Sequence, residues 1–365
     1  MNSDIFVQLE SPWKYTSGGM GKGLIENPPK NIKYLFRRQK KIVSSQNRVV
    51  FTRFLKKIIM IVSNILPLIK SREISVIDPK IKIIHCEHFL CKNKDIPWVV
   101  DTEGLWQFFL GKKTDLKKIK IKNILLRYNC KKIICWADNV KKNILNTIPE
   151  LKGKVITVYP AAQSIKFKKN KKKETTLLFV GRSFYGKGGF HALEVMNILT
   201  KKFDNVSAIY AGEIPEWAVK KYSKNKKIKI LGVVSHKDLM KKVYPESDIL
   251  IYPGYQDSFG FAYLEAMSFG IPIITTRRPN TEEIINVGNT GYLVECDLSK
   301  ISIDKLESHE KKLVLELCNN ASILIEDKRL IQLMSRNCLN AISNGKFSVK
   351  ERNQKMREVY EEALR

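Results

Sequence analysis

Short apolar runs alternate with helical patterns along this sequence, and they do so twice, on either side of a polar, charge-dense break at QSIKFKKNKKKETT (163–176). Before the break stand IKIIHCEHF and PWVVDTEG as strands, a Lys-rich helical stretch near 112–128, CKKIICWA, a helix ending near Ile148, and KVITVYP. After it the pattern restarts with TTLLFVG, a helix through HALEVMNILTKKF, VSAIYAGE, IKILGVV, a helix over HKDLMKKVYPES, DILIYPG, a helix from Phe261 to Phe269, IPIITTR, TGYLVE and a helical end. Strands joined by helical crossovers form parallel sheets. The expected fold is therefore α/β, with two Rossmann-like domains facing across a cleft and ligands at the carboxyl ends of the strands. The expected domains are 1–165 and 166–345, with 346–365 returning to the first, and no repeat of 20–50 residues is evident.

A chain of 365 residues that is 44% hydrophobic and 28% charged has enough apolar material for real cores, which excludes wholesale disorder, collagen-like repeats and a polytopic membrane protein. Its formal charge is +29, and the excess is uneven. Residues 1–170 hold 34 Lys/Arg against 12 Asp/Glu, a net of +22, while residues 171–365 hold 31 against 24, a net of +7. A basic half points to a polyanionic partner: nucleic acid, an anionic membrane surface or an acidic substrate. The Lys runs lack interleaved exposed aromatics and no nucleic-acid module is recognisable, so nucleic acid is not the expected partner.

The longest apolar tract, Val49 to Ile69, is interrupted by Arg53, Lys56 and Lys57, too polar to span a bilayer. It reads as an amphipathic helix ended by Pro67, either a domain helix with a basic solvent face or one that leans on anionic lipid. The seven cysteines, odd in number and scattered through apolar stretches, favour reduced thiols and a cytoplasmic protein, and the start MNSDIFVQLESPW shows no secretory signal. Cys86 with Cys91 and Cys130 with Cys135 are each C-x4-C, near His85 and His88, but structural zinc prefers tighter pairs on turns. No metal is expected.

Two constellations carry chemistry. The strand LLFVG ends in Gly181, Arg182, Ser183, Phe184, Tyr185, Gly186, Lys187, Gly188 and Gly189, and a helix follows. Glycines between a strand and a helix bring backbone amides near an anion. The spacing approaches a P-loop, but Gly188 stands where a hydroxyl would hold magnesium, so Arg182 and Lys187 are the cations left to neutralise a diphosphate. The second is PGYQDSFGFAYLEAMSFGIPIITT, where Asp257 lies in a loop after a strand and Glu265 about one turn into the next helix. Two carboxylates beside an anion-binding helix start suit the acceptance of hydrogen bonds from sugar or ribose hydroxyls.

These residues resemble the C-terminal half of a retaining glycosyltransferase of family 4, from the group 1 glycosyl transferases of GT-B fold. The resemblance covers Leu177 to Val294 and rests on LLFVGRSFYGKGG, the long segment from IKILGVVSHKDLM to GIPIITT, and TEEIINVGNTGYLVE. The family pattern is E-x7-E, whereas this chain has D-x7-E, with Asp257 in first place.

The resemblance implies that Arg182 and Lys187, after Gly181, bind the donor diphosphate and stabilise charge on the leaving nucleotide. Asp257 would bond the donor sugar's hydroxyls, Ser258, Phe259 and Gly260 would meet sugar or phosphate, Glu265 would take the ribose, and Val233 and Val234 would lie at the base. SGGMGKG resembles the family's Gly-rich loop and would bring Gly18 and Gly19 to the cleft. Glu103, with Asp101, stands where the family often has a histidine; His85 and His88 read mainly as core, with the cleft as the alternative. The implied reaction takes a sugar from a nucleotide-diphosphate sugar to a glycan or lipid-linked acceptor at the cytoplasmic side, with no cofactor and no metal. A basic nucleic-acid-binding protein, or a nucleotide-sugar epimerase of the same fold, is the alternative.

Overall fold

The computed structural model describes residues 4–11, 19–37, 59–165, 167, 173–297, 299, 301 and 308–365. Gly18 and the first part of the 49–69 tract lie outside them. The chain divides into two compact units, Met1–Pro160 with Lys350–Arg365, and Ala161–Val349. The sequence reading placed these divisions at 165/166 and 345/346.

In the first unit, β1 (Ile5–Glu10), α1 (Met20–Glu26) and β2 (Ile32–Leu35) are followed by helix α2 at 59–65 and by β3 (Ser71–Arg72), β4 (Ile81–Glu87), β5 (Leu90–Cys91) and β6 (Trp98–Thr102). Then come α3 (Asp115–Leu125), β7 (Cys130–Cys135), α4 (Asp138–Thr147) and β8 (Val155–Thr157). Six strands form one parallel sheet in the order β2-β1-β4-β6-β7-β8, and β3 pairs with β5 apart from it. The strands are apolar on both faces because helices cover both: all five residues of β6 are buried, as are six of the seven in β4.

The second unit holds β9 (Thr175–Gly181), α5 (Gly189–Lys202), β10 (Val206–Gly212), α6 (Glu216–Tyr222), β11 (Ile228–Gly232), α7 (His236–Asp238), β12 (Ile249–Ile251) and α8 (Phe261–Ser268). It continues with β13 (Ile273–Thr276), α9 (Pro279–Ile284), β14 (Gly291–Val294), α10 (Ser308–Glu326) and α11 (Lys328–Ser343). Its sheet is parallel throughout, in the order β11-β10-β9-β12-β13-β14. Numbered within the unit this is 3-2-1-4-5-6, the doubly wound order, and the direction of winding reverses between β9 and β12.

The expected helix over HKDLMKKVYPES is instead three short pieces: α7, a π turn at Leu239–Val243 and a 3₁₀ turn at Tyr244–Glu246. Pro245 has no N–H to continue an α-helical ladder, so the chain changes winding there. The last helix, α12 (Val349–Ala363), buries Arg352, Met356, Val359, Tyr360 and Ala363 at helical spacing, and Arg352 Nη2 donates to the Asn27 carbonyl at 2.7 Å.

Candidate active site

The reversal point of the second sheet leaves two neighbouring strands, β9 and β12, delivering loops to the same edge. After β9 the chain turns through Ser183–Gly188, with Lys187 N–H donating to the Ser183 carbonyl at 3.0 Å. Gly188 ends the turn in the left-handed region, φ 72°, as the cap of α5, and a Cβ there would stand 2.5 Å from Pro253. That close approach binds the two loops together. Gly254 N–H donates to the Lys187 carbonyl at 3.1 Å and Gln256 N–H to the Gly186 carbonyl at 2.8 Å.

Across this seam Lys187 Nζ donates to Asp257 Oδ1 at 2.5 Å and to the Gln256 carbonyl at 2.9 Å. Both side chains are largely covered, 22% exposed for Lys187 and 9% for Asp257, and the second carboxylate oxygen of Asp257 is buried. Tyr252 and Tyr263 have phenols pushed well up by burial, with the Asp257 charge adding to the effect. Arg182 is exposed and makes no ion pair or side-chain hydrogen bond with any described residue. One cation is thus fixed on a carboxylate and the other projects from the same turn.

Glu265, on α8, is held from both sides. Tyr244 Oη donates to its Oε2 at 2.8 Å and His236 Nε2 lies 3.0 Å from its Oε1. Burial, then the Glu265 charge, pushes the Tyr244 phenol well up, so it stays protonated and donates. Helix α8 begins at Gly260, φ 98°, where a Cβ would strike the Tyr263 ring at 2.4 Å. Phe259 is buried and its carbonyl accepts from Asn280 Nδ2 at 3.1 Å; Ser258 is exposed. Val233 is exposed and Val234 half-buried, in the loop after β11.

The sequence reading missed Tyr244 and His236, which position Glu265, and Arg278, which follows β13. Arg278 donates from Nη1 to the Tyr255 carbonyl, while its Nε is buried with no hydrogen-bond partner among the described residues. The signal was present as a basic pair, Arg277 and Arg278, between a strand and Pro279.

The candidates in the first unit have another character. Asp101, expected to face a ligand, is fully buried, 3.4 Å from His85 Nε2 and 3.6 Å from His88 Nδ1. Burial pushes its carboxyl up to about 7, against the pull of His88. His85 is also fully buried, hydrogen-bonded through Nδ1 to Tyr360 Oη at 2.7 Å, and burial lowers its pKa to about 4. Glu87 is likewise raised to about 7, by burial and then by Asp101. Glu103 is half-exposed, and Gly19 caps α1 at φ 103°. Cys86, Cys91, Cys130 and Cys135 are buried free thiols, and among the described residues no three His, Cys, Asp or Glu are grouped to hold a metal. No helix among the described residues is long and apolar enough to cross a membrane.

Residues 162–322 match the family model described as glycosyl transferases group 1. The chain is 24% identical over 189 residues to the phosphatidylinositol N-acetylglucosaminyltransferase GPI3 subunit of Saccharomyces cerevisiae, a match that takes in 47% of this chain and 41% of that protein. It therefore spans under half the length of this curated relative. Among solved structures, a glycosyltransferase from Rickettsia africae aligns over 100% of both chains at 16% identity with a TM-score of 0.66. Anabaena HepE in complex with UDP-glucose aligns over 98% of this chain and 99% of its own at 14% identity and a TM-score of 0.61. The chain thus has the GT-B fold of these glycosyltransferases, and its second unit is similar to the glycosyl transferases group 1.

Proposed function

We propose that this chain is a retaining glycosyltransferase that takes its donor, a nucleotide-diphosphate sugar, at the loops after β9 and β12. The observation that carries this reading is the pair of cations on one turn, Arg182 exposed with no ion pair among the described residues and Lys187 seated on Asp257, at the reversal point of a doubly wound sheet. A diphosphate arriving there meets both cations. Lys187 exchanges one Asp257 oxygen for phosphate oxygens, and the freed carboxylate accepts from the donor sugar's hydroxyls. Glu265, held by Tyr244 and His236, presents its remaining acceptor capacity to the ribose. HepE was solved with UDP-glucose, which supports a uridine donor.

In the proposed reaction the bond from the sugar's anomeric carbon to the diphosphate breaks, and the acceptor oxygen bonds that carbon on the same face. The acceptor proton passes to the departing phosphate. The protein's part is to hold both reactants and stabilise the charge growing on the diphosphate, and no side-chain nucleophile is required. The acceptor, a glycan or a lipid-linked glycan, falls to the basic first unit. Free cysteines throughout support a cytoplasmic setting. Exposed Ile59, Met60, Ile61, Ile65 and Leu66 on and after α2, in a half with a net charge of +22, support reversible docking on anionic lipid.

Calorimetric titration with UDP, GDP and their sugars tests the donor site: one nucleotide binds the native chain, and Arg182→Ala and Lys187→Ala each weaken it. Donor-dependent transfer surviving in both variants overturns the assignment. Sedimentation with liposomes tests docking, where equal recovery in the supernatant with and without anionic lipid rules it out.

A further inference from the structure

The first unit contains a cavity of about 370 Å³ lined by Lys70, Arg72, His88, Phe89, Trp106 and Gln107, within the ~300–1,000 Å³ typical of small-ligand sites. It gathers the β3 and β5 strand pair, the corner between β4 and β5, and the 3₁₀ turn Leu105–Phe108 after β6. Backbone bonds fix that geometry: Lys70 N–H donates to the Phe108 carbonyl at 2.8 Å and Leu90 N–H to the Lys70 carbonyl at 2.9 Å. His88 turns the corner at φ 62°, a conformation uncommon outside glycine.

Gln107 is only 6% exposed, and its amide orientation is settled by its partners. The Glu103 N–H donates to Oε1 at 2.8 Å, Thr102 Oγ1 donates to the same atom at 2.8 Å, and His88 Nδ1 lies 2.9 Å from it. A backbone amide only donates, so the atom it meets is the oxygen. Two consequences follow for the cavity. Gln107 Nε2 is left with hydrogens to donate and has no partner among the described residues. His88 carries its hydrogen on Nδ1, so in the neutral imidazole Nε2 offers a lone pair.

The rest of the lining adds an apolar plane and positive charge. Trp106 is 49% exposed, and Phe89 supports the Arg72 guanidinium 4.1 Å from its ring centroid. Arg72 is paired with Glu10 at 3.0 Å, whereas the Lys70 ammonium has no carboxylate or hydrogen-bond partner among the described residues. The protein around Lys70 also lowers its pKa by desolvation. An exposed indole beside a buried amide donor and an imidazole acceptor suits a sugar ring and its hydroxyls. An unpaired ammonium at the same opening suits an anion.

We propose that this cavity binds a sugar that carries a negative charge, with its ring on Trp106, a hydroxyl between Gln107 and His88, and its carboxylate or phosphate on Lys70. Given the proposed transfer reaction, on which this assignment of role rests, the site would hold an acidic unit of the acceptor glycan.

Ligand-observed NMR of the full chain with glucuronate, glucose 1-phosphate, glucose and inorganic phosphate tests it. Saturation transfer to the ring protons of both acidic sugars is expected, with glucose at least about tenfold weaker and phosphate, read as a competitor of the glucose 1-phosphate signal, at least about tenfold weaker as well, and Lys70→Gln and Trp106→Ala each weakening the acidic sugars about tenfold. Acidic sugars binding Lys70→Gln as well as the native chain, or glucose binding equally, overturns the charge assignment. Phosphate binding as well as glucose 1-phosphate, or no loss in Trp106→Ala, overturns the sugar. UDP titration and thermal unfolding of the same samples separate the causes. A native chain that binds glucuronate but no nucleotide defeats the transferase reading and leaves this site standing, and a variant with a native unfolding midpoint has lost binding without losing its fold.

Discussion

The two sheets of this protein share a parallel design and differ in what fills the edge where ligands bind such folds. In the second unit the loops after β9 and β12 are tied to each other by their backbones, which leaves side chains for chemistry: Lys187 on Asp257, Arg182 exposed, Glu265 braced by Tyr244 and His236. In the first unit the strand ends of β4 and β6 are closed by the chain's own polar groups, with His85, Asp101, Glu87 and Tyr360 buried against one another. The same topology thus yields a partly exposed charged cluster in one unit and a buried polar cluster in the other. Burial of Asp101 and Glu87 beside His85 raises both carboxyls toward the neutral form, whereas an exposed cation on a glycine turn is accessible to an anion.

The largest effect that separates the two edges is on turnover. In the proposed reaction Lys187→Ala removes a cation from the developing diphosphate charge, and the expected loss of donor-dependent transfer is about 10²- to 10³-fold, measured as initial rate with saturating donor. Asp101→Asn, at the matching edge of the first unit, is expected to leave nucleotide affinity within about twofold in the same preparation. A large loss of nucleotide affinity in Asp101→Asn would dissolve the contrast.

A smaller effect is expected at Tyr244, which acts through Glu265. Tyr244→Phe removes one hydrogen bond to a charged group and should weaken nucleotide binding about tenfold by calorimetry. Tyr360→Phe removes the buried partner of His85 and should instead lower unfolding free energy by about 1–2 kcal/mol in urea titration, with nucleotide affinity unchanged.

The smallest and most diagnostic effect is a pH dependence. The Asp101 carboxyl rises from its ordinary value of 3.8 to about 7 on folding, so the native state holds its proton to higher pH than the unfolded chain does. Its contribution to stability is complete below pH 3.8 and is lost as pH rises toward about 7. Asparagine has no proton to lose. The unfolding midpoint of Asp101→Asn relative to the native chain should therefore rise between pH 5 and about pH 8, and a flat difference would place Asp101 in a more solvated setting than the structure gives it.

The architecture was legible because parallel strands covered on both faces are nearly continuous apolar runs, and β4, β6, β9 and β12 stand out as such. The segment 236–246 is not one helix because its periodicity outweighs Pro245 only in the sequence, and the 3₁₀ turn at Tyr244–Glu246 that follows the π turn carries the tyrosine that positions Glu265. In the site, each motif could be read alone but their contact could not: Lys187 and Asp257 are 70 residues apart and meet only because β9 and β12 are neighbours in the sheet. Asp101 looked like a ligand-facing carboxylate because strand ends in this fold usually are. Nothing local indicated that His85, His88 and the distant Tyr360 would enclose it. The Gln107 contact that sets the His88 tautomer was hidden for the same reason.

The most direct test of the central claim is calorimetric titration of UDP into the native chain and Lys187→Ala at matched concentration and salt. The account predicts saturable one-site binding to the native chain and at least about tenfold weaker binding to the variant. Equal affinity for UDP in the two proteins would contradict it and move the anion site away from the β9 and β12 loops.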